Sequence, residues 1–517
     1  RLSSASIVAL SDSTDELRVF GNGGDRLELV DTGWVRLGRF NGFDTLANSV
    51  GNATVIASVG LVSEDLSSFI SGGSGNDVID AGNGNDTIDG SNGNDIIAAF
   101  GGQDSIQGGN DADIIDGGDG ADTLSGGDVN DTLDGGLGND SLAGGAGNDV
   151  FIVNSSGDVV RDTAGTDTVL LRAASISIVG VSVENVIGDD AALAFSIIGN
   201  AAATRLTGGV LGDTILAYQS ADTIYGLDGN DRLDGGSDND LIDGGNGADI
   251  IIGGTGDDTI SGDAGTDALD GGSGNDILNG GNDADTLNGG IGADTLYASI
   301  GSDSLMGGAD GDLYISNSAS FVLQINDIGG NDTLSFQGVM GDTVTATTLA
   351  TTTGIEAIDL AGSGNTLRLS AARVITLSDT DTLTVIGSGS DSLVFDDTGW
   401  ARGATSGGFT TFTNGSATVL VTSGIAPSGP SEGNDTLTGI DTAELINALG
   451  GNDSVLGMGG NDTLSGGDGN DTLNGGLGND SMAGGAGNDV FIVDSSADVV
   501  QDSSGTDTIM LRAASIS

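Results

Sequence analysis

Aspartate returns at every ninth residue for long stretches of this chain. One series runs Asp77, Asp86, Asp95, Asp104, Asp113, Asp122, Asp131, Asp140 and Asp149. A second runs Asp213, Asp222, Asp231, Asp240, Asp249, Asp258, Asp267, Asp276, Asp285, Asp294, Asp303 and Asp312. A third runs Asp435, Glu444, Asp453, Asp462, Asp471, Asp480 and Asp489, with one glutamate in an aspartate's place. Most of these acids close a glycine-rich hexapeptide such as Gly72-Gly73-Ser74-Gly75-Asn76-Asp77. Short carboxylates set in glycine turns suit a compact oxygen cage around a hard cation. Calcium takes about six to eight oxygens at about 2.3–2.6 Å in flexible geometry; magnesium demands a tighter octahedron and releases its waters reluctantly. Multiple calcium ions are therefore the expected cofactor, with the acids of the three series as metal ligands.

The spacing also dictates what positions them. Glycines stand where a turn needs positive φ or has no room for a side chain. Asn76, Asn85, Asn94, Asn139 and Asn148 precede their aspartates, and Asn tolerates the left-handed region. The three residues after each acid, such as Val78-Ile79-Asp80, read as a very short strand with an apolar centre. One unit is turn plus strand, and two units make one coil of a flattened parallel solenoid. Aspartates nine apart then alternate between two edges, and those eighteen apart, such as Asp77 and Asp95, stack on one edge at a strand spacing of about 4.8 Å. An ion between stacked turns takes a carboxylate from each turn and carbonyls from both. Ile79, Ile88, Ile97 and their successors through Phe151 point inward, so the core is one side chain thick. Such a core does not offset chain entropy alone. Ion binding is expected to act as folding energy.

Composition agrees. Seventy-six acids face thirteen bases, for a formal charge of −63, and every base is arginine. Unless cations cancel it, that charge opposes compaction. Roughly twenty-two divalent ions, one per same-edge pair, would bring it to about −19. A nucleic-acid partner is excluded for want of a basic surface. No apolar run of about 18 residues exists to span a membrane. Without His, Cys or Lys there is no Ser-His-Asp triad, thiol nucleophile, Schiff base or P-loop. The chain is expected not to be an enzyme.

Gly117-Gly118-Asp119-Gly120-Ala121-Asp122-Thr123-Leu124-Ser125 fits every position of the nonapeptide Gly-Gly-x-Gly-x-Asp-x-apolar-x. These units resemble the RTX (repeats-in-toxin, hemolysin-type) calcium-binding repeat. The resemblance covers about half of the chain. It implies an all-β fold of parallel β-roll blocks with calcium sites. It also implies export by a type I secretion system of Gram-negative bacteria, to the medium or the cell surface. It does not imply one activity. The expected role is a calcium-dependent structural region, either an adhesin-type spacer or a component of a surface layer or filament. The alternative is the tail of a secreted enzyme or toxin whose active domain lies elsewhere. Copies of itself or a cell-surface polysaccharide are the macromolecular partners left open. Residues 99–104 and 219–222 depart from the pattern, and sites there are expected to be weak or empty.

The rolls are expected at 66–153, 205–315 and 433–493. Calcium-poor β-solenoid or capping segments are expected at 1–65, 154–204, 316–425 and 494–517, with a linker at 426–432 around Pro427 and Pro430. No helical period is visible in these connectors. Ser141 to Ser177 reappears almost verbatim at Ser481 to Ser517, so the chain reads as a window onto a longer tandem array. Trp34 and Trp400, each after Asp-Thr-Gly, are expected to plug β-stacks. Arg18, Arg26, Arg36 and Arg39 are expected to pair with nearby acids. Glu184 and Glu356 fall outside the regular unit positions.

Overall fold

A computed structural model describes the backbone of Glu16–Leu17, Trp34–Phe40 and Phe43–Asn48, and then residues 69–317, 324–337, 343–345, 348–361, 364–388, 390–397, 400–422, 425–428, 434–439, 443 and 445–512. The side chains of Trp34, Arg36 and Arg39, and all of Arg18, Arg26 and Glu444, lie outside the described residues. The chain divides into two compact units, Arg1–Gly272 and Ser273–Ser517.

In the first unit the expected coil is present. Phe69–Ser74, Thr87–Asn92, Ser105–Asn110, Thr123–Asp128, Ser141–Ala146 and Val159–Arg161 pair in parallel as one ladder. Val78–Asp80, Ile96–Ala98, Ile114–Asp116, Thr132–Asp134 and Val150–Val153 form the other. Successive nine-residue units therefore go to alternate sheets. The register stacks Ile79 on Ile97, then Ile115, Leu133 and Phe151, each at most 1% exposed. Alternation along each short strand sends one residue into this column and its neighbours outward. The column does not stop at the roll's end. It runs on through Val169, Val186, Leu206, Ile224, Ile242 and Ile260. The first connector thus continues the solenoid. Only the other sheet is interrupted, its next ladder starting at Ser175–Ser177.

In the second unit the coils widen. Leu278, Leu296, Tyr314, Leu334, Ile358, Val385 and Val421 stack in parallel register. Loops lengthen between these strands, so Leu334 pairs with Ile358 rather than with a residue eighteen on. Ala401–Ser406, Phe409–Asn414 and Ala417–Thr422 add an antiparallel meander. A third roll follows, with a core of Leu437, Val455, Leu464, Leu473, Met482 and Phe491.

Two connector expectations need correction. Ala371–Leu377 is a helix, started by Ser370, whose side chain accepts the Arg373 N–H. It escaped the periodicity reading because seven residues bury only Val374 and Leu377, too few for a period to show. The segment read as a linker begins as a strand: Ala426–Ser428 pairs with Ser392–Phe395, Pro427 opposite Leu393. That strand is the edge of its sheet, where a proline's missing donor costs no ladder bond. Trp400 stacks on Phe395 with ring centres 4.3 Å apart, and its Nε1 donates to Asp397. Among the described residues no helix is long and apolar enough to cross a membrane.

Candidate metal centre

Every described aspartate of the first two series, and Asp453 through Asp489 of the third, is at most 7% exposed; Asp435 is half-buried. Each sits where turn meets strand, and a carboxylate ladder links those eighteen apart. The Asp77 amide donates to Oδ1 of Asp95 at 2.8 Å. Asp95 donates likewise to Asp113, Asp113 to Asp131, and Asp131 to Asp149. The opposite edge runs Asp86, Asp104, Asp122 and Asp140. The same rungs join Asp213, Asp231, Asp249 and Asp267, and Asp222, Asp240 and Asp258. Asp276, Asp294 and Asp312 are linked in this way, as are Asp285 and Asp303. In the third roll the rungs are Asp435–Asp453–Asp471–Asp489 and Asp462–Asp480.

One carboxylate oxygen is thus spent on the fold. The other is not. Oδ2 of Asp95, Asp113, Asp122, Asp131, Asp231, Asp240, Asp294 and Asp471, among others, is buried without a hydrogen-bond partner. A buried carboxylate oxygen without a partner is costly unless a cation meets it. The neighbouring glycine leaves room for one. A Cβ built on Gly72 would lie 2.5 Å from Asp77 Oδ2 and 2.8 Å from the Gly90 carbonyl oxygen of the next coil. At Gly117 the corresponding distances are 2.8 Å to Asp122 Oδ2 and 2.8 Å to the Gly135 oxygen. The first glycine of the unit therefore keeps open a cradle lined by a free carboxylate oxygen and a carbonyl from the coil above. That donor set is what calcium takes. The sequence placed two bare carboxylates beside each ion. In the structure the second is also tied to the turn through its Oδ1.

Burial dominates the electrostatics. It pushes the carboxyl groups of Asp95, Asp131, Asp231 and Asp240 up to about 7, with the stacked aspartates adding to the rise. Asp77, Asp104 and Asp122 rise to about 6 for the same first cause.

The turn backbone survives where the sequence departs from the pattern. Gly93 has φ +109°, and a Cβ there would strike the Gly75 carbonyl. Phe100 (φ 72°) and Tyr218 (φ 85°) hold the left-handed conformation without being glycine, and Asp104 and Asp222 stay in the ladder. The change that matters lies one residue earlier. Ala81, Ala99, Ala217, Ala298 and Ala448 occupy the first unit position and are at most 4% exposed. Repeat equivalence puts their methyl groups in the cradle. Ala99→Gly should therefore have effects of opposite sign. Without calcium it should cost roughly 0.5–1 kcal/mol in backbone entropy. With calcium it should raise the ion count by one, as equilibrium dialysis would read.

Asp231→Ala tests the ladder itself. It removes the acceptor of the Asp213 amide and a free Oδ2. Calcium stoichiometry should fall, and the buried amide left unpaired should cost about 1–3 kcal/mol. Unchanged stoichiometry and stability in a denaturant titration would count against Asp231 as a ligand.

Sequence reasoning missed several carboxylates. Asp158 and Asp167 continue the nine-residue count past Asp149, and Asp498 and Asp507 continue it past Asp489. The Asp140 amide donates to Asp158, that of Asp149 to Asp167, and that of Asp489 to Asp507. Glu184 and Glu356 form the next rungs, accepting the amides of Asp167 and Asp332. Counting on after the glycines stopped would have found the four aspartates.

The model of the RTX calcium-binding nonapeptide repeat matches residues 67–97, 99–133, 116–151, 125–160, 207–242, 243–278, 279–314, 447–482, 456–491 and 483–513, together just over half of the chain. No curated protein matches it. Repeats, cradles and free carboxylate oxygens agree on multiple bound calcium ions. The chain belongs to the family of RTX calcium-binding repeat proteins.

Proposed function

We propose that this chain is a calcium-folded structural segment of a protein exported by Gram-negative bacteria through a type I system. Outside the cell it serves as a spacer that carries an adhesive domain, with no catalysis of its own. The observation that supports this most is the ladder. Its buried carboxylates give one oxygen to the turn backbone and many leave the other for a cation, which is the arrangement of a metal-dependent scaffold. RTX repeats are typical of secreted bacterial proteins, which supports the location. Calcium is scarce inside cells and abundant outside, so a chain that needs it to fold stays extended until export.

One observation favours the surface-layer or filament version. Val78, Ile96 and Ile114 stack in register on the outer face of one sheet and are 37%, 50% and 53% exposed. An apolar stripe of this kind suits lateral contact with another copy of the chain.

Sedimentation velocity across a calcium titration, starting from chelated protein, separates the readings. Compaction to a monomer supports the spacer. Compaction followed by large assemblies supports the lateral version. A chain that stays expanded at saturating calcium overturns both.

A further inference from the structure

At the end of the first roll the two edges close differently. On one edge, Asp158 takes the Asp140 amide on Oδ1 and the amides of Asn154 and Ser155 on Oδ2. Hydrogen bonds satisfy both of its oxygens. On the other edge, Asp149, Asp162 and Asp167 converge, with one oxygen of each within 4.8 Å of the others. Asp149 and Asp167 are 1% and 0% exposed, and Oδ2 of each has no hydrogen-bond partner. The same trio recurs as Asp312, Asp327 and Asp332, which are 2%, 4% and 1% exposed, again with Oδ2 of all three unpartnered. It recurs a third time as Asp489, Asp502 and Asp507, where Asp489 is buried with a free Oδ2 and the other two are exposed.

The cradle explains why a third acid is there. Inside a roll, the point where a Cβ on the first glycine would sit faces a carbonyl of the next coil, as Gly72 faces the Gly90 oxygen at 2.8 Å. The last coil has no glycine hexapeptide above it. At Gly144 the corresponding point faces Asp162 Oδ1 at 2.7 Å, and at Gly484 it faces Asp502 Oδ1 at 2.8 Å. At the ends of the first and third rolls a connector carboxylate thus lies where, inside a roll, the next coil's carbonyl comes close. The third acid of each trio is held in place by backbone: Gly145 and Ala164 donate to Asp162, Gly308 and Ile328 to Asp327, and Gly485 to Asp502.

We propose that each roll ends in a calcium site of its own, built from these three carboxylates, which binds the ion more tightly than the interior sites and fastens the roll to the connector that follows. Exchanging a neutral carbonyl for a charged carboxylate raises the ligand charge, which is what sets calcium affinity among oxygen cages of similar size. The inference rests on the calcium-dependent reading above, and its test separates the two.

The test is a calcium titration of the whole chain against a chromophoric chelator. The unaltered chain should take up three ions ahead of the rest. The triple variant Asp162→Asn, Asp327→Asn, Asp502→Asn should weaken those three by roughly tenfold or more, leaving the later ions unchanged. Asparagine keeps Oδ1 for the amides of Gly145, Gly308 and Gly485 and gives up the exposed bond from the Ala164 amide to Asp162, so the fold at saturating calcium, checked by circular dichroism, should persist. Asp158→Asn, on the edge closed by hydrogen bonds, should leave the three early ions in place. Uptake as one uniform class, or early ions untouched by the triple variant, would overturn the proposal while leaving calcium-dependent folding intact. An unaltered chain that binds no calcium overturns both.

Discussion

Chelating calcium at neutral pH should dissolve the parallel ladders, and acid should restore them in part. The carboxyls of Asp95, Asp131, Asp231, Asp240 and Asp312 are raised by burial from an ordinary 3.8 to about 7 in the ion-free fold. A carboxyl raised on folding binds its proton more tightly in the folded state. Its contribution to ion-free stability is complete below 3.8 and gone once pH passes about 7. Protons and calcium thus neutralise the same oxygens, and calcium affinity should fall across that window as pH drops. Circular dichroism of chelated protein at about pH 4.5 should show more strand than at about pH 7.5. General self-repulsion of a −63 chain also weakens in acid, but salt screens exposed charge and leaves buried carboxylates little affected. If molar salt at neutral pH restored the strands as well as acid does, burial would not be the cause.

Phe151→Ala should produce the largest loss of any single core truncation in the first roll. Phe151 is 0% exposed and stacks between Leu133 and Val169, where the roll passes into its connector. A core one side chain thick has no second layer to collapse into the hole. The expected cost is about 3–5 kcal/mol, read as a lower denaturant midpoint at saturating calcium. Leu137→Ala, at a position 69% exposed, should stay within about 0.5 kcal/mol. Equal losses in the two variants would mean that the Phe151 column does not carry the stability of this region.

The coil was legible because its period is a direct image of its geometry. Asp77 and Asp95 stack because eighteen residues make one turn, and Ile79 lies over Ile97 for the same reason. What escaped was structure without a period. Asp327 and Asp332 follow Asp312 at intervals set by a longer loop, so no count reaches them. The helix at Ala371–Leu377 rests on one capping serine and two buried side chains. Ala99 was read as part of a degraded unit, yet only the structure shows that the first glycine borders the ion's space.

The near-identity of the coils raises a problem of alignment. A strand shifted by one full coil would meet almost the same partners, so the interior of a roll carries no address. The bulky markers supply one. Phe151, Tyr314 and Phe491 are among the largest fully buried side chains, and each stands in the last unit of its series. Moved one coil back, each would enter a slot shaped for Leu133, Leu296 or Leu473. Each would then displace neighbours that have no space to yield. A roll cut off before its marker should therefore not simply be weaker. It should settle into a mixture of frame-shifted states, each well folded and none unique.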